Sequence, residues 1–261
     1  MNLSAIRLVT FDVTGTLLKL RSAPGQQYGE IGAMYGVVAD NNLLNKNFKN
    51  QFKRMVKEEP NFGLKSGLGW ESWWKTVIRE TFKASKFQLK DEKLDRIADH
   101  LLEMYKTSAC WQHAYGVPGI LSYIRNKKIP MGVISNFDPR LEAILINTKL
   151  KHYFEFLLTS YENGFEKPDK RIFDLALEKS NLTNLKPEEC LHIGDKPHLD
   201  YAAAKNAGWN AFVINDGDFK SFKEKYPELN QEHYFSSAYQ LHITFLRNSG
   251  DKLSTAEQDL N

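Results

Sequence analysis

Five short segments of this 261-residue chain are apolar, rich in β-branched residues and closed by a polar cluster: 6–11, 131–135, 156–159, 190–194 and 211–214. Helical patterns over 117–127, 139–148, 169–180 and 198–207 separate the later ones. Strands that are apolar throughout are buried on both faces, as in a parallel sheet. Their alternation with helices of this length gives βαβ units and an α/β fold. In such sheets a ligand binds outside the carboxyl ends of the strands, where the strand order reverses. The polar clusters at those ends are therefore the place to look for chemistry.

One interval breaks the rhythm. Residues 28–105 carry amphipathic helical patterns and no convincing strand, so they read as an insertion. In 42–58 the residues Leu43, Leu44, Phe48, Phe52, Met55 and Val56 fall near i, i+3, i+4 spacing, and 70–82 and 91–105 behave alike. Asp91 is expected to cap the last of these helices, while Pro60, Gly63, Gly67 and Gly69 punctuate the connection before Trp70. The expected organisation is an α/β core of 1–20 and 108–246, an all-helical four-helix cap of 21–107 over the active crevice, and a flexible polar tail of 247–261.

Composition excludes several classes. Hydrophobic residues are 42% and charged residues 26% of the chain, as in ordinary globular proteins. The net charge of +3 is dispersed, so no nucleic-acid footprint is expected. Cys110 and Cys190 sit in no CxxC or Cys/His cluster and read as reduced core thiols. No leader pattern and no 18-residue apolar run is present, so we expect a cytoplasmic protein, with the nucleus as the other compartment, and no membrane partner. On that expectation the sites Asn2-Leu3-Ser4 and Asn181-Leu182-Thr183 carry no sugar.

The clusters at the strand ends are Asp12-Val13-Thr14-Gly15-Thr16, then Ser135-Asn136, then Lys167-Pro168 beyond the third strand, and Gly194-Asp195-Lys196-Pro197-His198-Leu199-Asp200. In this order and spacing they resemble the four motifs of the haloacid dehalogenase superfamily, over residues 6 to 216. The insertion point is similar to that of its C1-capped members. Leu8–Leu18, the run Tyr28-Gly29-Glu30-Ile31-Gly32-Ala33, the run Ser135-Asn136-Phe137-Asp138-Pro139-Arg140-Leu141 and 185–195 further resemble the rhythmically expressed gene 2 / haloacid dehalogenase-like hydrolase domain-containing protein 3 family. The resemblance implies a Rossmann-like core with a helical cap.

Physical chemistry gives these residues roles. A carboxylate at a strand end can attack a phosphoryl group in line if a hard cation offsets the charge of both, and Asp12 is that candidate. Mg²⁺ takes oxygen ligands, which Asp12, the Thr14 carbonyl and Asp195 would supply, with Asp200 behind them. Ser135, the amides around Asn136, Lys167 and the Gly15-Thr16 turn would hold phosphate oxygens. Each residue alone has an ordinary reading: Asp12 as a turn residue, Ser135 as a strand-end cap, Lys167 as a solvated charge, Asp195 and Asp200 as helix caps. Their common location at strand ends decides for chemistry. Trp70, Trp73, Trp74 and Phe82 read as core, His192 as structural, and His113 and His198 lack metal-ligand spacing. Tyr28 and the Pro60-Asn61-Phe62-Gly63 turn are the specificity candidates.

Phosphatases of the family carry an aspartate two residues after the nucleophile, as general acid and base. This chain has Thr14, whose hydroxyl is neither near neutrality. Losing such a group costs about 10²–10⁴-fold in rate, or roughly 3–5 kcal/mol. The expected function is thus Mg²⁺-dependent hydrolysis of a small phosphorylated metabolite through an aspartyl-phosphate, with slow turnover. The alternatives are a catalytically feeble binding or regulatory protein and a haloacid dehalogenase; Gly194-Asp195 argues against the last. Oligomeric state is left open.

Overall fold

The computed structural model describes residues 3–85, 87 and 89–251. Its strands are β1 (Leu8–Phe11), β2 (Leu18–Leu20), β3 (Trp111–His113), β4 (Met131–Ser135), β5 (Phe156–Thr159), β6 (Cys190–Gly194), β7 (Asn210–Ile214) and β8 (Tyr234–Phe235). Six of them form one sheet in the order β5-β4-β1-β6-β7-β8, and every neighbouring pair is parallel. Every residue of β1, β4 and β6 is buried, which is why these strands read as unbroken apolar runs. The chain moves outward from β1 through β4 to β5, then returns to β6 and moves the other way. The order therefore reverses at β1, and Asp12 is the first residue beyond it.

The chain divides into two compact units. The first comprises Met1–Lys19, His113–Asn136 and Leu150–Asn261; the second comprises Leu20–Gln112 and Phe137–Lys149. Both passages between 19–20 and 112–113 run through β2 and β3, which pair as a two-stranded ribbon. In the first unit Leu8, Ile134, Phe173, Cys190, Trp209 and Val213 pack one continuous core against the sheet. Val117–Asn126 and Arg171–Lys179 are helices as the patterns predict. The predicted helix at 198–207 instead opens as a π-helical turn, Pro197–Ala202, before Ala203–Asn206. Helices Phe219–Lys225 and Ala238–Ser249 and strand β8 were not evident in the pattern.

The polar tail corrects one expectation. Arg247 to Ser249 belong to a helix, and Asp251 accepts hydrogen bonds from Tyr123 (3.0 Å) and an ion pair from Lys127 (2.6 Å). Those partners lie over a hundred residues earlier, where local composition cannot reveal them. The rest of the tail, 252–261, lies outside the described residues, as does Asn2. Cys110 and Cys190 are buried free thiols, with burial pushing their pKa up to about 11 and about 12.

The second unit holds four long helices, Pro24–Met34, Asn41–Glu58, Trp70–Ala84 and Asp91–Met104, and the short Leu141–Asn147. Tyr28, Leu44, Ile78, Phe82, Leu94, Ile97 and Leu101 make its core. Asp40 caps the second helix, accepting from the amides of Asn42 and Leu43. Asp91 does not cap the fourth; Lys90 occupies that position and Asp91 is the first helical residue, where its charge faces the positive end of the helix dipole. The apolar face over 42–58 is narrower than its spacing suggested: Leu44 and Met55 are buried, whereas Leu43, Phe52 and Val56 are exposed.

Within this unit Asp138 and Arg140 form a buried pair. Asp138 Oδ1 accepts from Arg140 Nε (2.8 Å) and the Arg140 amide (3.0 Å); Oδ2 accepts from Arg140 Nη2 (2.7 Å) and Trp74 Nε1 (2.8 Å). The guanidinium lies 5.2 Å from the Trp70 ring centroid and 5.0 Å from that of Trp74.

Candidate active site

Asp12 continues the ladder of β1, its amide donating to Ile193 O (2.9 Å), so its side chain leaves the sheet at a fixed point. Oδ1 accepts from Ser135 Oγ at 3.0 Å and from Lys167 Nζ at 2.9 Å, whereas Oδ2 accepts no hydrogen bond from the described residues. Ser135 comes from the end of β4, the neighbouring strand, which explains how residues 123 positions apart meet. Asn136 then grips the backbone of Lys167: its Nδ2 donates to Lys167 O (2.9 Å) and its Oδ1 accepts from Lys167 N (2.8 Å). A loop residue far from any strand is thus pinned to the end of β4.

Lys167 is 2% exposed, and its ammonium donates to three oxygens: Asp12 Oδ1, Ile134 O (2.8 Å) and Asp200 Oδ1 (2.6 Å). Burial opposes its charge, but the Asp12 and Asp200 carboxylates outweigh that and raise its pKa. The same pairing acts on Asp200: burial works against ionisation, and Lys167 and His192 nonetheless hold the carboxyl well below its usual range. Asp200 Oδ2 accepts from the Lys196 amide (2.8 Å), which ties the π-helical turn to the end of β6.

Asp195 differs from both. Its Oδ1 is buried without a hydrogen-bond partner, and burial together with the Asp12 and Asp200 charges pushes its pKa up to about 7. Oxygen atoms of Asp12, Asp195 and Asp200 lie within 4.8 Å of one another. Three carboxylates therefore share the coulombic support of one buried ammonium. A hard cation with oxygen ligands fits that donor set and would satisfy the orphaned oxygen.

Two glycines make room for these acids. A Cβ on Gly194 would stand 2.1 Å from Asp200 Cγ, and one on Gly15 would stand 2.4 Å from Asp195 Oδ2. Gly15 also has φ +92°, a conformation that side-chain-bearing residues rarely adopt. The expected anion contact at Gly15 and Thr16 takes another form: their amides donate to Leu18 O and Val13 O within the turn. Among the described residues the Val13 and Thr14 amides donate to no such acceptor; Thr14 is exposed, whereas Val13 is buried.

Asp12, Thr14, Ser135, Asn136, Lys167 and Asp200 line a cavity of about 30 Å³, the space of roughly one water molecule, together with Lys196 and Leu199. A far larger open cleft, about 730 Å³ between Phe219, Tyr234 and Gln240, holds no comparable cluster among the described residues. Chemistry follows the carboxylates, not the volume. Lys196 is not assigned from sequence, although its place beside Asp195 is a signal; among the described residues its side chain makes no ion pair, but its charge favours ionisation of Asp195. His192 is fully buried, as its place in an apolar strand suggested. Tyr28, Asn61 and Phe62 belong to the helical unit. Tyr28 is 2% exposed and packs against Phe48 and Phe82 in its core, while Phe62 packs on Trp73. Asn61 and Phe62 both have left-handed backbone (φ 48° and 57°).

The model of the haloacid dehalogenase-like hydrolases matches residues 6–208. The rhythmically expressed gene 2 protein of Drosophila melanogaster is 48% identical over 248 residues, 92% of this chain and 95% of its own. Haloacid dehalogenase-like hydrolase domain-containing protein 3 of Mus musculus is 34% identical over 209 residues, 80% of this chain and 82% of its own. Among solved structures, the putative HAD-hydrolase YfnB from Bacillus subtilis, bound to magnesium, matches with a TM-score of 0.64 at 17% identity, over 92% of this chain and 98% of that one.

Proposed function

The chain belongs to the haloacid dehalogenase-like hydrolases, and from that premise we propose that it is a Mg²⁺-dependent phosphatase of a small phosphorylated metabolite, with slow turnover. The observation that carries this reading is the surplus of carboxylate at the site: three acids, one buried ammonium and an Asp195 oxygen with no partner. Asp12, Asp195 and the Thr14 carbonyl would hold Mg²⁺, which when bound offsets the charge of carboxylate and phosphoryl oxygens.

The chain's own residues do the rest. Ser135 and Lys167 fix Oδ1 of Asp12, so that Oδ2 is the oxygen directed at phosphorus. Attack by Oδ2 forms the aspartyl-phosphate as the bond from phosphorus to the leaving oxygen breaks. Water then attacks phosphorus, releasing inorganic phosphate and restoring the Asp12 carboxylate. Lys167 screens the anionic charge throughout, and the Thr14 amide serves phosphoryl oxygens. The Thr14 hydroxyl neither protonates the leaving oxygen nor activates the water, so both steps fall to solvent.

Hydrolysis of p-nitrophenyl phosphate should require Mg²⁺, and Asp12→Asn should abolish it. Full activity in that variant, or in EDTA, would sink the mechanism. Thr14→Asp should raise turnover by about 10-fold or more, within the range a positioned acid supplies. The second reading, a binding or regulatory protein, is favoured by the same Thr14. It gains if no phosphate ester in a metabolite panel is hydrolysed while Mg²⁺ still binds.

A further inference from the structure

The buried His192 has no part in the chemistry above, yet it touches it. Thr10 on β1 and His192 on β6 are directly paired across the sheet, and Thr10 Oγ1 lies 2.9 Å from His192 Nδ1. On the other side of the ring, Nε2 is 3.3 Å from Asp200 Oδ1, the oxygen that also accepts from Lys167 at 2.6 Å. Lys167 in turn donates to Asp12, two residues after Thr10. Side chains thus form a connected series, Thr10, His192, Asp200, Lys167 and Asp12, whose two ends are joined through the backbone of residues 10–12.

The donors in this series can be assigned. An ionised Asp200 carboxylate only accepts, so the nitrogen facing it carries the hydrogen; Nδ1 then offers a lone pair, and the Thr10 hydroxyl donates to it. The opposite tautomer would set the Nε2 lone pair against a carboxylate and leave two acceptors face to face. Phe173 stands edge-on to the imidazole, 5.3 Å between centroids at 85°, and holds the ring in this orientation. All of Thr10, His192 and Asp200 are at most 1% exposed, so no water substitutes for a missing partner.

We propose that His192 is a positioning residue of the hydrolase site: locked by Thr10 and Asp200 as the Nε2–H tautomer, it orients the Asp200 carboxylate and through it the Lys167 ammonium. Packing alone does not call for histidine at this place in β6, where its neighbours Leu191 and Ile193 are apolar and equally buried. The structural half of the proposal stands on the series itself, and its effect on rate rests on the phosphatase reading above.

The test compares the full chain with His192→Gln, which keeps a donor near Nε2, and His192→Phe, which does not. Thr10→Val provides a gentler variant should the phenylalanine fail to fold. The ¹⁵N spectrum of the wild-type imidazole should show hydrogen on Nε2; hydrogen on Nδ1 overturns the proposal. The Lys167 ammonium protons, held by three acceptors, should exchange slowly in wild type and His192→Gln and be lost to solvent exchange in His192→Phe. In Thr10→Val the Nε2–H tautomer should persist, because Asp200 still faces that nitrogen, while Nδ1 loses its donor and the Lys167 ammonium protons should exchange faster than in wild type. Lys167 signals identical in all variants, or lost equally with glutamine and phenylalanine, overturn it. Where p-nitrophenyl phosphate is hydrolysed, kcat should fall about 10-fold or more in His192→Phe at unchanged KM and return to within about threefold in His192→Gln. Wild-type inactivity would count against the phosphatase reading alone, because the two spectroscopic results do not depend on it.

Discussion

Two buried ionic networks, one in each unit, differ in their balance. In the helical unit one carboxylate, Asp138, meets one guanidinium, Arg140, and both carboxylate oxygens accept two hydrogen bonds. In the sheet unit three carboxylates draw on the one buried ammonium of Lys167, and Asp195 Oδ1 accepts nothing. A satisfied network is complete as it stands and serves architecture. A deficient one is held in an unfavourable state by the surrounding fold, and the deficit states what must arrive: positive charge and oxygen-seeking character. Charge balance thus separates structural from functional burial more sharply than burial itself does.

The largest effect should come from Lys167→Met, which removes the only buried cation from the deficient network. Aryl phosphatase activity should fall by about 10²–10³-fold or more, and urea unfolding should report about 3–5 kcal/mol lost, with Mg²⁺ recovering part of it. Retained activity would erase the distinction between the networks. Arg140→Met, by contrast, should destabilise by about 3–5 kcal/mol with no Mg²⁺ response, and adding Asp138→Leu should return most of the loss, since a closed pair can be replaced as a unit. A failure of that double substitution to recover would show that the Trp74 indole, left without its acceptor, costs more than the pair's removal returns.

Acidity sharpens the contrast further. Asp195 in the folded chain titrates at about 7 against an ordinary 3.8, so between those values the folded state holds a proton that the unfolded state has lost. The contribution of Asp195 to the stability of the metal-free protein should therefore be fully present below about pH 4 and be lost, by at most a few kcal/mol, as pH rises through about 7, whereas Asp200, whose carboxyl Lys167 holds low, contributes in the opposite sense as the pH falls into the acid range. Asp195→Asn should flatten that decline in an EDTA-treated sample and weaken Mg²⁺ binding. A slope unchanged by the substitution would assign it elsewhere. Smallest is Trp74→Phe, which removes one donor to Asp138 and should cost about 1–2 kcal/mol in unfolding experiments, without altering Mg²⁺ affinity.

The sheet was legible because a fully buried parallel strand writes an unbroken apolar run, and the site was legible because its residues sit where those runs stop. Asp12 and Ser135 meet for this reason, whereas Lys167 and Asp200 lie beyond the strand ends and are brought in by Asn136 and by the turn after β6. Strand β8 is two residues long and β2 and β3 are three each, too short for any periodicity to register. The tie between Asp251 and Tyr123 spans 128 residues, and the exchange of Asp91 for Lys90 at a helix start turns on a single backbone conformation. At the site, the sequence does not show that the Gly15 and Thr16 amides are spent within the turn, because that depends on how the loop closes on Leu18 and Val13. Histidine 192 was correctly read as buried, but a strand pattern says nothing of what stands opposite each ring nitrogen.

The helical unit is assembled from two pieces of chain, Leu20–Gln112 and Phe137–Lys149, and the second carries both Asp138 and Arg140. It is consequently no cassette. A graft of residues 20–112 into a relative would bring Trp70 and Trp74 without the ion pair they enclose, and the recipient's own residues after its second core strand would have to match those indoles. Exchange of specificity between members of this family by recombination should therefore succeed only when both segments travel together, which binds the inheritance of the insertion to a stretch of chain directly following Ser135 and Asn136.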